Sequence, residues 1–255
     1  MGCCLLLAAS SASAEIQTEE LTYSGGGVEM KGFLAYDDAT DDKRPGVLVV
    51  HEWWGHNPYA RKRARMLAEL GYTALAVDMY GDGKLAEHPK DAGAFSSAVM
   101  GDMDSAKARF LAAMKPLQAH PTTDPERTAA IGYCFGGGVV LHMARFGVDL
   151  DGVVSFHGSL GTQTPAKKGG VKPALLVCHG ADDSFTPQEQ IDALKKEMAE
   201  AGADLTFIAY EGAVHSFTNP DADKFGKEFD LPLAYHKVAD ETSWADMQKF
   251  FKKIF

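Results

Sequence analysis

Cys134, Asp183 and His215 have the types and the order to carry out covalent catalysis. Cys134 stands in Gly132-Tyr133-Cys134-Phe135-Gly136-Gly137-Gly138, a G-x-C-x-G pattern. Between a strand and a helix, that pattern is a nucleophile elbow with a thiol where most such turns carry a hydroxyl. The turn is so tight that a Cβ at Gly132 or Gly136 would clash, and the nucleophile takes a strained backbone conformation. The helix N-terminus that follows points free N–H groups at the sulfur and favours a thiolate. Alone, the pattern is weak, because a buried cysteine is more often a packing residue. Asp183 and His215 change the odds. A histidine takes a proton near neutral pH and returns it to a leaving group; a carboxylate fixes its tautomer and steadies the imidazolium. Singly, Asp182 or Asp183 reads as a helix cap before Pro187, and His215 as a loop histidine. Together, nucleophile, acid and base in that order point to acyl transfer. Asp183 is preferred to Asp182 as the fourth residue of G-x-x-D from Gly180.

Buried strands must hold these residues. Leu21–Ser24 and Val28–Tyr36 read as a hairpin across Gly25-Gly26-Gly27. Pro45–Val50, Thr73–Asp78, Arg127–Gly132, Gly152–Phe156, Ala174–Cys178 and Leu205–Tyr210 are short apolar runs of the kind buried on both faces of a sheet. Helical patterns lie between them: Pro58–Leu70, one or two helices over Ala92–Ala119, Gly138–Phe146, Pro187–Ala201 and Tyr235–Ile254. The alternation predicts a single domain with a mostly parallel sheet, an N-terminal antiparallel hairpin and helices on both faces. Ligand sites in such sheets collect at the carboxyl ends of the strands, where all three residues fall.

The chain has 255 residues, 45% of them hydrophobic, enough for one domain with a large core. No apolar run spans a bilayer. A net charge of −10 and no basic stripe argue against nucleic acid as a partner. Residues 1–14 read as a signal peptide: Cys3–Ala9 is apolar and Ala12-Ser13-Ala14 fits a cleavage site, although no Lys or Arg precedes the apolar run. Export to the periplasm or outside is therefore expected, with residues 15–255 as the mature domain; a non-working leader would leave the protein in the cytoplasm. Loss of the leader removes two of the four cysteines and leaves Cys134 and Cys178, too few for a disulfide framework. His51-Glu52-Trp53-Trp54-Gly55-His56 comes within one residue of the zinc pattern H-E-x-x-H, but the second histidine is a position late and the stretch leaves a strand. No metal and no cofactor are expected.

From about Tyr23 to Phe255 the chain resembles the dienelactone hydrolase family of α/β-hydrolases. The resemblance is carried by His51-Glu52-Trp53-Trp54-Gly55, Gly132–Gly137, Ala181–Pro187 and His215-Ser216-Phe217. It implies a single-domain α/β-hydrolase that cleaves carboxylic esters or lactones of small molecules through a thiol ester. It also implies that Glu52 contacts Cys134 and helps generate the thiolate, and that the backbone N–H groups of Phe135 and Trp53 form the oxyanion hole. Trp54, Phe185, Phe217, Tyr80 and Asn219 are the expected pocket residues. Dienelactone-cleaving members hold a substrate carboxylate with two arginines; the matching positions here are Asp82 and Asn219. Lys84 or Arg145 are the candidate replacements. The alternatives are a thioesterase or other acyl hydrolase on the same machinery, or a non-catalytic redox sensor of the same fold. A monomer or small homo-oligomer is expected.

Overall fold

A computed structural model describes residues 15–40 and 42–255; the leader-like segment 1–14 lies outside the described residues. Two strands open the chain, β1 (Ile16–Gly25) and β2 (Val28–Asp37), paired antiparallel. They are followed by β3 (Arg44–Val50), α1 (Pro58–Glu69), β4 (Thr73–Val77), α2 (Pro89–Met100), α3 (Met103–Ala119), β5 (Thr123–Tyr133) and α4 (Phe135–Arg145). The remainder is β6 (Gly152–Phe156), β7 (Ala174–Gly180), α5 (Gln188–Ala201), β8 (Leu205–Tyr210), α6 (Ala222–Phe229) and α7 (Lys237–Ile254). The strands form one sheet of order β1-β2-β4-β3-β5-β6-β7-β8, parallel from β4 onward.

Successive residues of a strand face opposite sides of a sheet. Val47 and Val49 pack with Ala60, Ala64 and Leu67 of α1 and Met247 and Phe251 of α7. Leu48 and Val50 pack with Phe110 and Leu117 of α3 and Val140 and Leu141 of α4. The continuous apolar runs of the central strands are thus split between two cores, one on each face. β1 and β8 at the edges are only half buried.

The start of α4 and the presence of α6 differ from the sequence expectation, while the Ala92–Ala119 segment takes the two-helix form of its expectation. α4 begins at Phe135, three residues before Gly138, so its first turn contains three glycines. Glycine is a poor helix former, yet close backbone packing demands it there. The Ala92–Ala119 segment divides at Gly101-Asp102, where Asp102 caps α3 by accepting from the Ser105 N–H. α6 was absent from the expectation; its Phe225 and Phe229 pack on Trp54.

Candidate active site

Cys134 follows β5 at φ 53° and ψ −116°, a conformation costly for any residue with a Cβ. Its neighbours leave no room to relax. A Cβ on Gly132 would lie 2.1 Å from the Gly136 carbonyl oxygen, and one on Gly136 would lie 2.3 Å from that of Val50. The Gly136 N–H donates to the His51 carbonyl at 3.1 Å, which ties the elbow to the end of β3. Cys134 is half-buried, whereas Cys178 is buried, accepts from the Tyr210 hydroxyl, and has its thiol pushed up to about 12 by that burial.

Asp183 follows β7 and His215 follows β8. His215 Nδ1 donates to Asp183 Oδ2 at 2.8 Å, and Asp183 Oδ1 accepts from the Phe185 N–H at 2.9 Å. Asp183 is buried while Asp182 is exposed, so position 183 is the one that meets the histidine. Burial works against the His215 imidazolium, but the Cys134 sulfur and the Asp183 carboxylate outweigh it and carry its pKa up to about 10. Cys134 and His215 line the same cavity, of about 250 Å³, together with Trp53 and Phe135. Among the described residues, neither the Phe135 nor the Trp53 N–H has a hydrogen-bond acceptor.

Glu52 sits elsewhere than expected. Its carboxylate accepts from Ser216 Oγ at 3.0 Å and from Asn219 Nδ2 at 2.6 Å, not from the Cys134 thiol. Burial pushes its pKa up; Asn219, Ser216, His215 and Arg63 pull the other way. The physical reason is donor strength: an amide and a hydroxyl compensate a buried carboxylate better than a weak S–H donor does.

The chain matches the dienelactone hydrolase family over residues 30–255. It belongs to that family. As a member it is a hydrolase of the ester and lactone type, on the α/β-hydrolase fold. A solved structure named m3DLH is 38% identical with a TM-score of 0.88, covering 94% of this chain and 99% of its own. A dienelactone hydrolase-like promiscuous phosphotriesterase from metagenomic libraries is 35% identical with a TM-score of 0.87, over 94% of this chain and 99% of its own. A protein of Aquifex aeolicus (strain VF5), provisionally named carboxymethylenebutenolidase, is 27% identical over 76% of this chain and 84% of its own.

In this dienelactone hydrolase family member, Phe185 is the expected pocket residue that lines the cavity. Trp54 instead packs against Phe225 and Phe229. Phe217 is wholly buried between Tyr210 and His157. Tyr80 is buried among His51, Phe95 and Phe135, and its hydroxyl donates to the Trp53 carbonyl at 2.8 Å. Asn219 is spent on Glu52. These residues support the walls from behind. The rest of the lining comes from Ser96, Ser97 and Met100 of α2, from Ser159 after β6, and from Leu233. Nothing in the sequence marked α2 as a wall, because its serines are ordinary helix-surface residues until α2 is docked. Asp82 is exposed beside Lys84 at 3.7 Å, and Arg145 is buried in an ion pair with Glu197 at 2.9 Å. None of the three reaches the cavity, and among the described residues no Lys or Arg lines it. Both nitrogens of His51 are engaged by the backbone: Nδ1 donates to the Glu52 carbonyl and Nε2 accepts from the Met79 N–H. That occupancy removes it from the zinc-like pattern.

Proposed function

We propose that this chain hydrolyses neutral carboxylic esters or lactones of small molecules through a thiol ester on Cys134. The supporting observation is the Asp183–His215 hydrogen bond at the rim of a cavity that also holds the strained Cys134. The Cys134 thiolate attacks the carbonyl carbon, and the Phe135 and Trp53 N–H groups stabilise the oxyanion. The C–O bond breaks, and the His215 imidazolium gives its proton to the leaving alkoxide. His215, held by Asp183, then takes a proton from water; the hydroxide attacks the thiol ester, and the acid leaves as Cys134 is restored. Glu52 has the role of a positioning group: through Ser216 it braces the loop that carries His215.

Neutrality of the substrate follows from charge. Recognition of a carboxylate in a partly buried site calls for an Arg or Lys; among the described residues the lining has neither, its cationic His215 is already paired with Asp183, and its hydroxyl donors are Ser96, Ser97 and Ser159. The same lack of a cation free to pair with an anionic substrate suits a neutral phosphotriester, the kind of substrate named for the 35% identical neighbour. A variant Cys134→Ala should lose at least about 1,000-fold in turnover of small aryl esters, the scale seen when a covalent nucleophile is removed. Wild-type protein mixed with an activated ester should gain one acyl mass on Cys134. Unchanged turnover in the variant, or acylation elsewhere, would sink the thiol-ester reading and leave a redox or binding role for the cysteine.

A further inference from the structure

β6 ends between β5, which delivers Cys134, and β7, which delivers Asp183. The residue that follows β6 is His157, wholly buried and held at φ 39°. The Cys134 N–H is shared between the Phe156 carbonyl at 3.0 Å and His157 Nδ1 at 3.1 Å. Acceptance at Nδ1 means that the ring proton is on Nε2, and Nε2 donates to Thr218 Oγ1 at 2.7 Å. Thr218 lies three residues beyond His215, on the same loop. The Tyr59 hydroxyl meets Thr218 Oγ1 at 2.6 Å and accepts from Arg63 Nε at 3.1 Å. Arg63 also donates to the Thr218 carbonyl at 2.7 Å and pairs with Asp240 of α7. The two loops that must present sulfur and imidazole to one substrate are therefore joined through one ring.

We propose that His157 is a positioning residue that, as its Nε2–H tautomer, registers the Cys134 elbow against the His215 loop. This rests on the reading of Cys134 as nucleophile and His215 as base. The histidine ring supplies an acceptor and a donor on opposite sides of one rigid group. Asparagine reaches the Cys134 N–H but not Thr218, and an aromatic ring without nitrogens reaches neither. A positive charge on His157 would abolish acceptance from the Cys134 N–H and set a second cation against His215, whose ring is 5.3 Å away. The groups that face His157 are His215 and Phe217 from the loop after β8, His179 of β7, Tyr133 of β5 and Arg63 of α1. Burial, then His215 and Arg63, hold its pKa well below the ordinary histidine value.

The test measures kcat and KM on a neutral aryl ester, and the rate of Cys134 alkylation by iodoacetamide from pH 5 to 10. It compares wild type, His157→Phe, His157→Asn and Thr218→Val. In His157→Phe, kcat should fall about 10- to 100-fold, as for a small misplacement of reacting groups, with KM within about threefold. The pH midpoint of alkylation should move as well, which a purely structural role would not produce. His157→Asn should recover at least about fivefold of the lost kcat, and Thr218→Val should lose an intermediate amount. A folded His157→Phe protein with wild-type kcat and an unmoved alkylation profile overturns the proposal. If His157→Phe does not fold, a wild-type kcat and profile in Thr218→Val overturn it instead. The alkylation arm needs no turnover, so it still reads positioning if the thiol-ester reading fails.

Discussion

At Asn219 an amide nitrogen shares with one hydroxyl the holding of a buried carboxylate that forms no ion pair among the described residues. Asn219 Nδ2 and Ser216 Oγ are the hydrogen-bond donors to Glu52, 167 and 164 residues away in the chain. An Asn219→Asp substitution removes the donor and places a second carboxylate about where the first one accepts. Two buried carboxylates in contact cannot both ionise without penalty. The variant should lose about 3–5 kcal/mol at pH 8, the scale for a buried charge left uncompensated. Urea unfolding measures it, and the loss should shrink at pH 5, where one of the pair takes up a proton. Glu52 was legible as a polar residue ending a buried strand. Its partners were not, because a carboxylate at a strand end accepts from any donor that packing brings within 3 Å.

Among elements, the β5–α4 turn makes the strongest demand on sequence. Gly136→Ala would set a Cβ 2.3 Å from the Val50 carbonyl oxygen, a backbone atom in the sheet that cannot withdraw. We expect a loss of more than about 3 kcal/mol, beyond the usual penalty of overpacking, or no folded protein. Gly93→Ala, in α2, is the control: its Cβ would meet nothing within 4 Å. It should be neutral or stabilising by up to about 1 kcal/mol, because alanine is the better helix former. Thermal and urea melts of both variants decide the matter; equal effects would mean that the crowding is not what the glycine answers. The start of α4 was misread for the same reason. Helix propensity alone pushes three glycines out of a helix, and only their close contacts, Gly136 with the end of β3, Gly137 with Gly158 and Gly138 with Ser159, explain why they lie within it.

For the molecule as a whole, buried titratable groups set a window of stability. Burial lowers the pKa of His51, His56 and His157, that of His56 to about 3. Below about pH 6.5 the unfolded chain binds protons that these folded sites refuse, so stability falls with acid. His215 works on the other side. With its pKa raised to about 10, its contribution is complete below about pH 6.5 and is lost as the pH climbs toward 10. Glu52, pushed up by burial, opposes the acid loss in part. Urea titrations at pH 5, 7 and 9.5 should therefore show the greatest stability near pH 7. His56→Gln should reduce the loss between pH 6.5 and 5 by about 1–2 kcal/mol, the linkage of one buried neutral histidine. A loss identical to wild type would mean that His56 titrates normally. The sequence by itself determined the alternating strands and helices, the parallel sheet, and a cysteine, an aspartate and a histidine each placed after a strand. Those features are written in consecutive residues: apolar runs, breakers and a strained turn. Only the tertiary structure decided that Asn219 and Ser216 hold Glu52, that α2 and Leu233 wall the cavity, and that His157 joins two loops. Those contacts link residues far apart in the chain, and the register of neighbouring strands, which no local spacing encodes, brings them together.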